Sequence, residues 1–238
     1  MSFGRPRRHY RRTDSTNERA RELAEVGAPS GAVVTAAEQM AGRGRRGRGW
    51  TAPAGKALLY SAILRPLDER HHLLPLAVPL AVCDAVESLA PLACRVKWPN
   101  DVWIEERKLA GVLIEAHPPR WAVIGIGLNI SIGPEELPTD LRWPATSVGH
   151  GVGVAAALAA VNASLTDWVE APSSRVLAKY AERDALRGRK VAWEGGPSGS
   201  ERGRGRADGI DEAGNLIVET ENGARVSLGA GEARLALG

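Results

Sequence analysis

The sequence predicts an α+β protein: a helix-and-strand domain followed by a small all-β domain. Three observations carry this. Apolar runs with strand character alternate with segments of helical periodicity as far as about residue 187. Beyond Gly188 that periodicity ends, and glycine- and asparagine-rich turns recur at Gly195-Gly196, Asp208-Gly209, Gly214-Asn215 and Asn222-Gly223. The 238 residues, 44% hydrophobic and 25% charged, suffice for one medium domain and one small one and exclude wholesale disorder.

Taken in order, residues 1–13 carry five arginines and no acid and are expected to form a flexible basic arm. Ser15-Thr16-Asn17-Glu18 fits a capping box, Ala20, Leu23 and Ala24 follow at helical spacing, and Gly27 closes the helix. Ala32–Ala37 and Ala57–Leu64 read as strands around a glycine-rich loop over 40–55. His71–Leu89 reads as a helix despite Pro75 and Pro79. Arg95–Trp98 and Val102–Ile104 are strands joined through Pro99-Asn100, and Gly111–Glu115 and Ala122–Ile130 are two more. Residues 134–153 are irregular; Val154–Val169 and Arg175–Leu186 are helical. The domains expected are therefore 14–187 and 188–238, after the arm.

Charge and cysteine content narrow the function. The net charge is +3, yet residues 1–13 and 42–48 together hold nine arginines and no acid. The rest of the chain carries 22 basic against 28 acidic residues, a balance of −6, which is not the coat of a nucleic-acid-binding protein. No apolar run nears the roughly 20 residues of a membrane helix, and no secretory leader is legible. Two cysteines, Cys83 and Cys94, argue for a reducing cytoplasm without a disulfide framework or zinc cluster.

The sharpest local signal is Gln39-Met40-Ala41-Gly42-Arg43-Gly44-Arg45-Arg46-Gly47-Arg48-Gly49-Trp50. Its glycines allow close backbone approach, its N–H groups can cradle an oxyanion, and its arginines can fork onto carboxylate or phosphate. Such a segment repels itself and should order on an anionic ligand. A solvated loop, or one resting on nucleic-acid phosphate, is an equal reading of this stretch by itself. Trp50 serves either as core or as a stacking platform. A second signal is Lys97-Trp98-Pro99-Asn100-Asp101 with Lys108-Leu109-Ala110-Gly111. Lysine is scarce here, five against 26 arginines, and a strand–turn–strand layout brings Lys97 and Lys108 to one end of a sheet. Two ammonium groups there call for an anion between them. Pro-Asn-Asp is also a common turn composition, and Lys108 after Glu105-Glu106 could be a surface charge pair. Gly125-Ile126-Gly127-Leu128-Asn129 is a strand whose glycines mark a bulge or a ligand lying on the backbone. Asn129 suits a ligand or a local backbone group equally.

These segments, together with Ser15-Thr16-Asn17, resemble the biotin protein ligases, in the same order and over essentially the whole chain. The resemblance implies a mixed β-sheet flanked by helices, like that of class II aminoacyl-tRNA synthetases, with a C-terminal SH3-like β-barrel. It implies ATP-dependent formation of biotinyl-5′-AMP and transfer of biotin to a lysine of the biotin carboxyl carrier protein domain of a biotin-dependent carboxylase. Partners would be biotin, ATP and that carrier, with no membrane. With the first helix starting near residue 15, no DNA-binding domain is expected and no DNA partner.

By the same resemblance, Ser15, Thr16, Gln39, Gly42 and Arg43 would hold the biotin ureido ring and Gly111 would line its bicycle. Lys108 and the Arg45 backbone would hold the carboxylate. Arg46 and Arg48 would meet the nucleotide phosphates, and Lys97 the α-phosphate. Asp101 would position the reacting groups, and Asn100, Trp50 and Asn129 would line the nucleotide side. Lys97, Lys108, Arg45 and Asp101 are thus the catalytic set. Mg²⁺ is expected mainly through the ATP phosphates, with no protein metal site. Arg234 lies two residues out of register with an adenine-holding arginine of the relatives. A lipoate or octanoate ligase, or a nucleic-acid-binding module using both arginine clusters, are the rival assignments.

Overall fold

A computed structural model describes residues 1–138, 143–194 and 202–229, and the backbone of 234–237. Strands β1 (Arg7–Tyr10), β2 (Val33–Ala36), β3 (Ala57–Leu64), β4 (Arg95–Lys97), β5 (Asp101–Ile104), β6 (Arg107–His117) and β7 (Trp121–Asn129) form one mixed sheet of order β1-β2-β3-β7-β6-β5-β4. Only the β1–β2 pair is parallel. Helices α1 (Thr16–Glu25), α2 (Leu74–Glu87), α3 (Val154–Val169) and α4 (Ser173–Arg183) flank it.

Side-chain alternation divides the sheet into two unlike faces. On the back, Leu58, Tyr60, Ala62 and Leu64 of β3 and Ala122, Ile124, Ile126 and Leu128 of β7 join Val102, Ala110 and Val112 in the main core with α2 and α3. Eleven of the fourteen residues of α2 are buried, which is why its sequence is apolar all round. On the front, α1 covers only part of the sheet, packing Ala20 and Ala24 on Val34, Ile63 and Val123. Ser61 and Gly125 lie beneath Thr16 and Asn17 in its first turn, and the part of that face beyond the helix carries Gly127, Gly111, Asp101 and Lys97.

Three expectations are corrected. Residues 1–13 are not a free arm, since β1 extends the sheet beside β2 and Phe3 is buried in the core. The arginines hid this strand because its stability lies in backbone pairing at the sheet edge rather than in apolar side chains. The capping box does not form: Ser15 is the N-cap without a side-chain bond, and Glu18 instead pairs with Arg21 and Arg43. The C-terminal strands β8 (Lys190–Glu194), β9 (Arg202–Ile210), β10 (Leu216–Thr220), β11 (Arg225–Leu228) and β12 (Arg234–Leu237) form an antiparallel sheet of order β11-β10-β9-β8-β12. No β11–β12 pairing closes it into the expected SH3-like barrel among the described residues. Turn signals specify hairpin neighbours, whereas closure depends on tilt and stagger that turns do not encode. This sheet shares the main core: Val191, Trp193, Leu216 and Val218 join it, and the Trp98 indole donates to the Gly214 carbonyl at 3.0 Å. The side chain of Arg234 lies outside the described residues.

Candidate active site

One row of cross-strand partners runs over the front face of all seven strands: Tyr10–Ala36–Leu59–Gly127–Gly111–Asp101–Lys97. Directly paired residues point to the same face. Two glycines therefore sit side by side at its centre and leave a trough, with the charged pair at one end. The Trp50 ring lies across the trough. A Cβ built on Gly127 would come within 2.3 Å of that ring, so the seating of the indole requires glycine there, and one on Gly111 would come within 3.1 Å, a tight fit that the ring would have to yield to. The buried Trp50 Nε1 has no hydrogen-bond partner among the described residues.

A β-bulge brings Lys108 to the same face. Val102 pairs with Ala110 and Trp103 with Lys108, so Leu109 is the extra residue. Under regular alternation Lys108 and Gly111, three apart, would point to opposite faces. The bulge instead buries Leu109 and Ala110 together in the core and turns the ammonium of Lys108 forward, 2.7 Å from Asp101 Oδ1 and 5.5 Å from the Trp50 ring centroid. The Lys108 backbone is pinned by bonds from its N–H to the Pro144 carbonyl and from the Thr146 N–H to its own carbonyl. Asp101 is the ladder partner of Lys97 and pairs with the Lys108 ammonium. Lys97 is buried, with its ammonium 5.7 Å from the ring centroids of both Trp103 and Trp143.

The arginine loop folds over this trough as a hairpin. The Trp50 N–H donates to Gly42, the Gly44 N–H donates to Arg48 at 2.6 Å, and Arg43 bridges Gly49. Arg46 takes a φ of 57° at its tip. The self-repulsion expected of the loop is met by groups of the chain itself. Arg43 pairs with Glu115 at 3.0 Å and Glu18 at 3.3 Å, and Arg45 donates to Asn100 Oδ1 at 3.3 Å. Burial, and then repulsion by Arg46, lower the pKa of Arg45, while Asp101 opposes the shift.

Between sheet and loop lies a cavity of about 320 Å³, the size of a small-molecule site. Of the residues singled out in the sequence, Ser15, Thr16, Gln39, Arg43, Arg45, Arg48, Trp50, Asn100, Lys108, Gly111 and Asn129 line it. Gly42, Arg46, Lys97 and Asp101 do not. Gly42 packs on the Trp50 backbone, and Asp101 stands behind Lys108. Asn129 meets both alternatives, lining the cavity while its amide donates to the Thr146 carbonyl at 2.9 Å. Gln39 Oε1 accepts from the Thr16 N–H at 2.7 Å and its hydroxyl at 3.0 Å, which fixes the polar end of the cavity.

Asn17 and Glu115 had no assigned role. Asn17 lines the cavity over Gly125, accepts from Ser61 Oγ at 2.6 Å and donates to Glu115 at 2.8 Å. Its place directly after Ser15-Thr16 was a signal for it. Glu115, 98 residues away in sequence, had none.

A folded front-face trough, a forward-turned ammonium and an arginine flap define a site for activating a carboxylate with a nucleotide. The chain belongs to the biotin/lipoate A/B protein ligase family, whose profile matches residues 9–130, and the biotin protein ligase C-terminal domain profile matches residues 199–235. It is 36% identical to a biotin–(acetyl-CoA-carboxylase) ligase of Mycobacterium tuberculosis, over 92% of this chain and 85% of that one. It is 35% identical to the enzyme of that name from Paracoccus denitrificans, over 90% and 95%. The fold matches a biotin protein ligase from Aquifex aeolicus solved with biotin and ATP, with a TM-score of 0.84 and 27% identity over 99% of this chain and 100% of that one.

Proposed function

We propose that this chain is a biotin protein ligase: it joins biotin and ATP as biotinyl-5′-AMP and passes biotin to a lysine of the biotin carboxyl carrier domain of a carboxylase. The observation that carries this is the glycine trough with Lys108 turned into it beneath the arginine hairpin. The relatives named above are biotin ligases, and the C-terminal match is to the biotin branch of the family, which favours biotin over lipoate or octanoate.

In the first step a biotin carboxylate oxygen attacks the α-phosphorus of ATP, the bond to the β-phosphate oxygen breaks, and pyrophosphate leaves. Both reactants are anions. Two unit charges 4 Å apart repel by about 4 kcal/mol at an effective dielectric constant of 20, so cationic screening is the main demand on the protein. Lys108 receives the carboxylate. The Arg45 backbone holds the carboxylate with it, Arg46 and Arg48 close over the phosphates, Lys97 backs the α-phosphate, and Asp101 keeps Lys108 aimed. Ser15, Thr16, Gln39, Gly42 and Arg43 hold the ureido ring at the far end, and Gly111 floors its bicycle. Trp50, Asn100 and Asn129 border the nucleotide. In the second step the neutral amine of the carrier lysine attacks the acyl carbon, the acyl–phosphate bond breaks, AMP leaves, and the amine proton passes to solvent.

The described residues do not build a metal cage. They hold no group of three or more His, Cys, Asp or Glu, and Asp101 is taken by Lys108. Mg²⁺ would enter with ATP, held by its phosphates. No described helix is long and apolar enough to cross a membrane, and two buried free cysteines suit a cytoplasmic protein. The test is a streptavidin blot of a carrier domain incubated with ATP and either biotin or lipoate. A band with biotin supports the assignment; transfer of lipoate alone, detected by mass, overturns it.

A further inference from the structure

We propose that Ser61 is a positioning residue for biotin: its single hydroxyl proton sets which way the Asn17 amide faces and so fixes the hydrogen-bonding pattern at the polar end of the cavity. The inference rests on the ligase function above. β3 is buried from end to end, and Ser61 is its one residue besides Tyr60 with a polar side chain. Ser61 has no exposed surface, and its neighbours on the same face, Leu59 and Ile63, are apolar. A hydroxyl so far from water must be bonded to be tolerated. Among the described residues its side chain bonds to Thr16 and Asn17 of α1, at 2.8 and 2.6 Å.

The sheet is shaped to allow this. Ser61 pairs with Gly125 and Gly125 with Leu113, in a row two residues, or roughly 7 Å, along from the row of the glycine trough. A Cβ on Gly125 would come within 2.1 Å of Asn17 Oδ1, so the glycine lets the Asn17 side chain descend beside Ser61. Each proton there can be assigned. Asn17 Nδ2 donates to Glu115 Oε2 at 2.8 Å and to the Leu113 carbonyl at 3.4 Å, groups that only accept, Glu115 being paired with Arg43. The atom facing Ser61 is therefore the amide oxygen, which also only accepts, and the Ser61 proton is committed to it. The Thr16 hydroxyl then donates to Ser61 Oγ or to Gln39 Oε1, 3.0 Å away, and turns only lone pairs elsewhere. Gln39 Oε1 also accepts the Thr16 N–H at 2.7 Å, which leaves the Gln39 NH₂ group as the donor. A lone pair beside an NH₂ group complements the adjoining N–H and C=O of a cyclic urea. Without the Ser61 proton the buried Asn17 oxygen loses its donor, and the amide turns from Gly125 into the space of the ring, pulling away from Glu115.

The test is ATP–pyrophosphate exchange on the full chain with biotin and ATP varied in turn. Ser61→Ala should raise KM for biotin about tenfold, with kcat and KM for ATP within twofold of native. In an Asn17→Ala background the same substitution should raise KM for biotin less than twofold further, because Ser61 acts through Asn17. Ser61→Cys, which keeps a weak donor at nearly the same volume, should fall between Ser61→Ala and native and keeps the test open should the alanine variant fail to fold. A native KM for biotin in Ser61→Ala overturns the proposal. So does a rise that persists undiminished in the Asn17→Ala background, or a rise in KM for ATP as large as that for biotin, which would make Ser61 a packing residue of the sheet. Failure of the ligase function itself would be seen separately, as absence of biotin-dependent exchange in the native chain.

Discussion

The sheet and the arginine hairpin present cations to the same cavity by opposite means. On the sheet, Lys108 is held by a bulge that commits Leu109 and Ala110 to the core, by backbone bonds to residues 144 and 146, and by a 2.7 Å ion pair with buried Asp101. Moving the root of that side chain would mean unpacking the sheet, and moving its ammonium would break the pair with buried Asp101. On the hairpin, Arg43 is held by ion pairs at 3.0 and 3.3 Å, and its side chain is 48% exposed. Pairs of that kind contribute about 0.2–1 kcal/mol, so they can be exchanged for a ligand. Under the function proposed above, the difference would separate two tasks: a fixed charge that defines where the carboxylate goes, and adaptable charges that close over whatever has bound.

Perturbing each region separately should yield effects of very different size. Lys108→Ala removes the fixed cation and leaves Asp101 buried without it. Biotin-dependent ATP–pyrophosphate exchange should fall on the order of a hundredfold to a thousandfold, and near-native exchange would show that the carboxylate is held elsewhere. Gly127→Val fills the trough and displaces the Trp50 ring. Biotin affinity by calorimetry should fall about a hundredfold while the melting temperature shifts only a few degrees; retained affinity would mean the ligand does not use the trough. Arg45→Gly weakens the flap and leaves the sheet intact. Labelling of bystander lysines should rise about tenfold, with exchange reduced less than in Lys108→Ala; unaltered labelling selectivity would remove the flap from adenylate retention. Glu115→Gln removes the charge from one half-exposed arginine pair and leaves an acceptor for the Asn17 amide. Its effect on biotin affinity should be about threefold, and a loss as large as that of Lys108→Ala would erase the distinction between the regions.

The same contrast explains what was legible in the sequence. Elements defined by strong side-chain patterns were read to the residue: Ala57–Leu64 is β3 and Val154–Val169 is α3. The glycine–arginine loop announced itself by composition, and Lys97–Asp101 with Lys108 by the scarcity of lysine. What did not show was geometry carried by the backbone. β1 is an edge strand with charged side chains and was hidden by them. The bulge at Leu109 leaves no trace in composition, although it decides which way Lys108 points. The row from Tyr10 to Lys97 is a property of strand order, which joins residues up to 117 apart in sequence and follows from no local spacing. Glu115 was missed for the same reason, since its partners Asn17 and Arg43 come from a helix and a distant loop.

ATP–pyrophosphate exchange on the purified native chain, with and without biotin, tests most directly whether this site brings a carboxylate and a nucleotide together. Exchange of label into ATP that depends on biotin is the predicted result. Exchange that proceeds equally without biotin, or none with saturating biotin and Mg²⁺–ATP, would contradict the account.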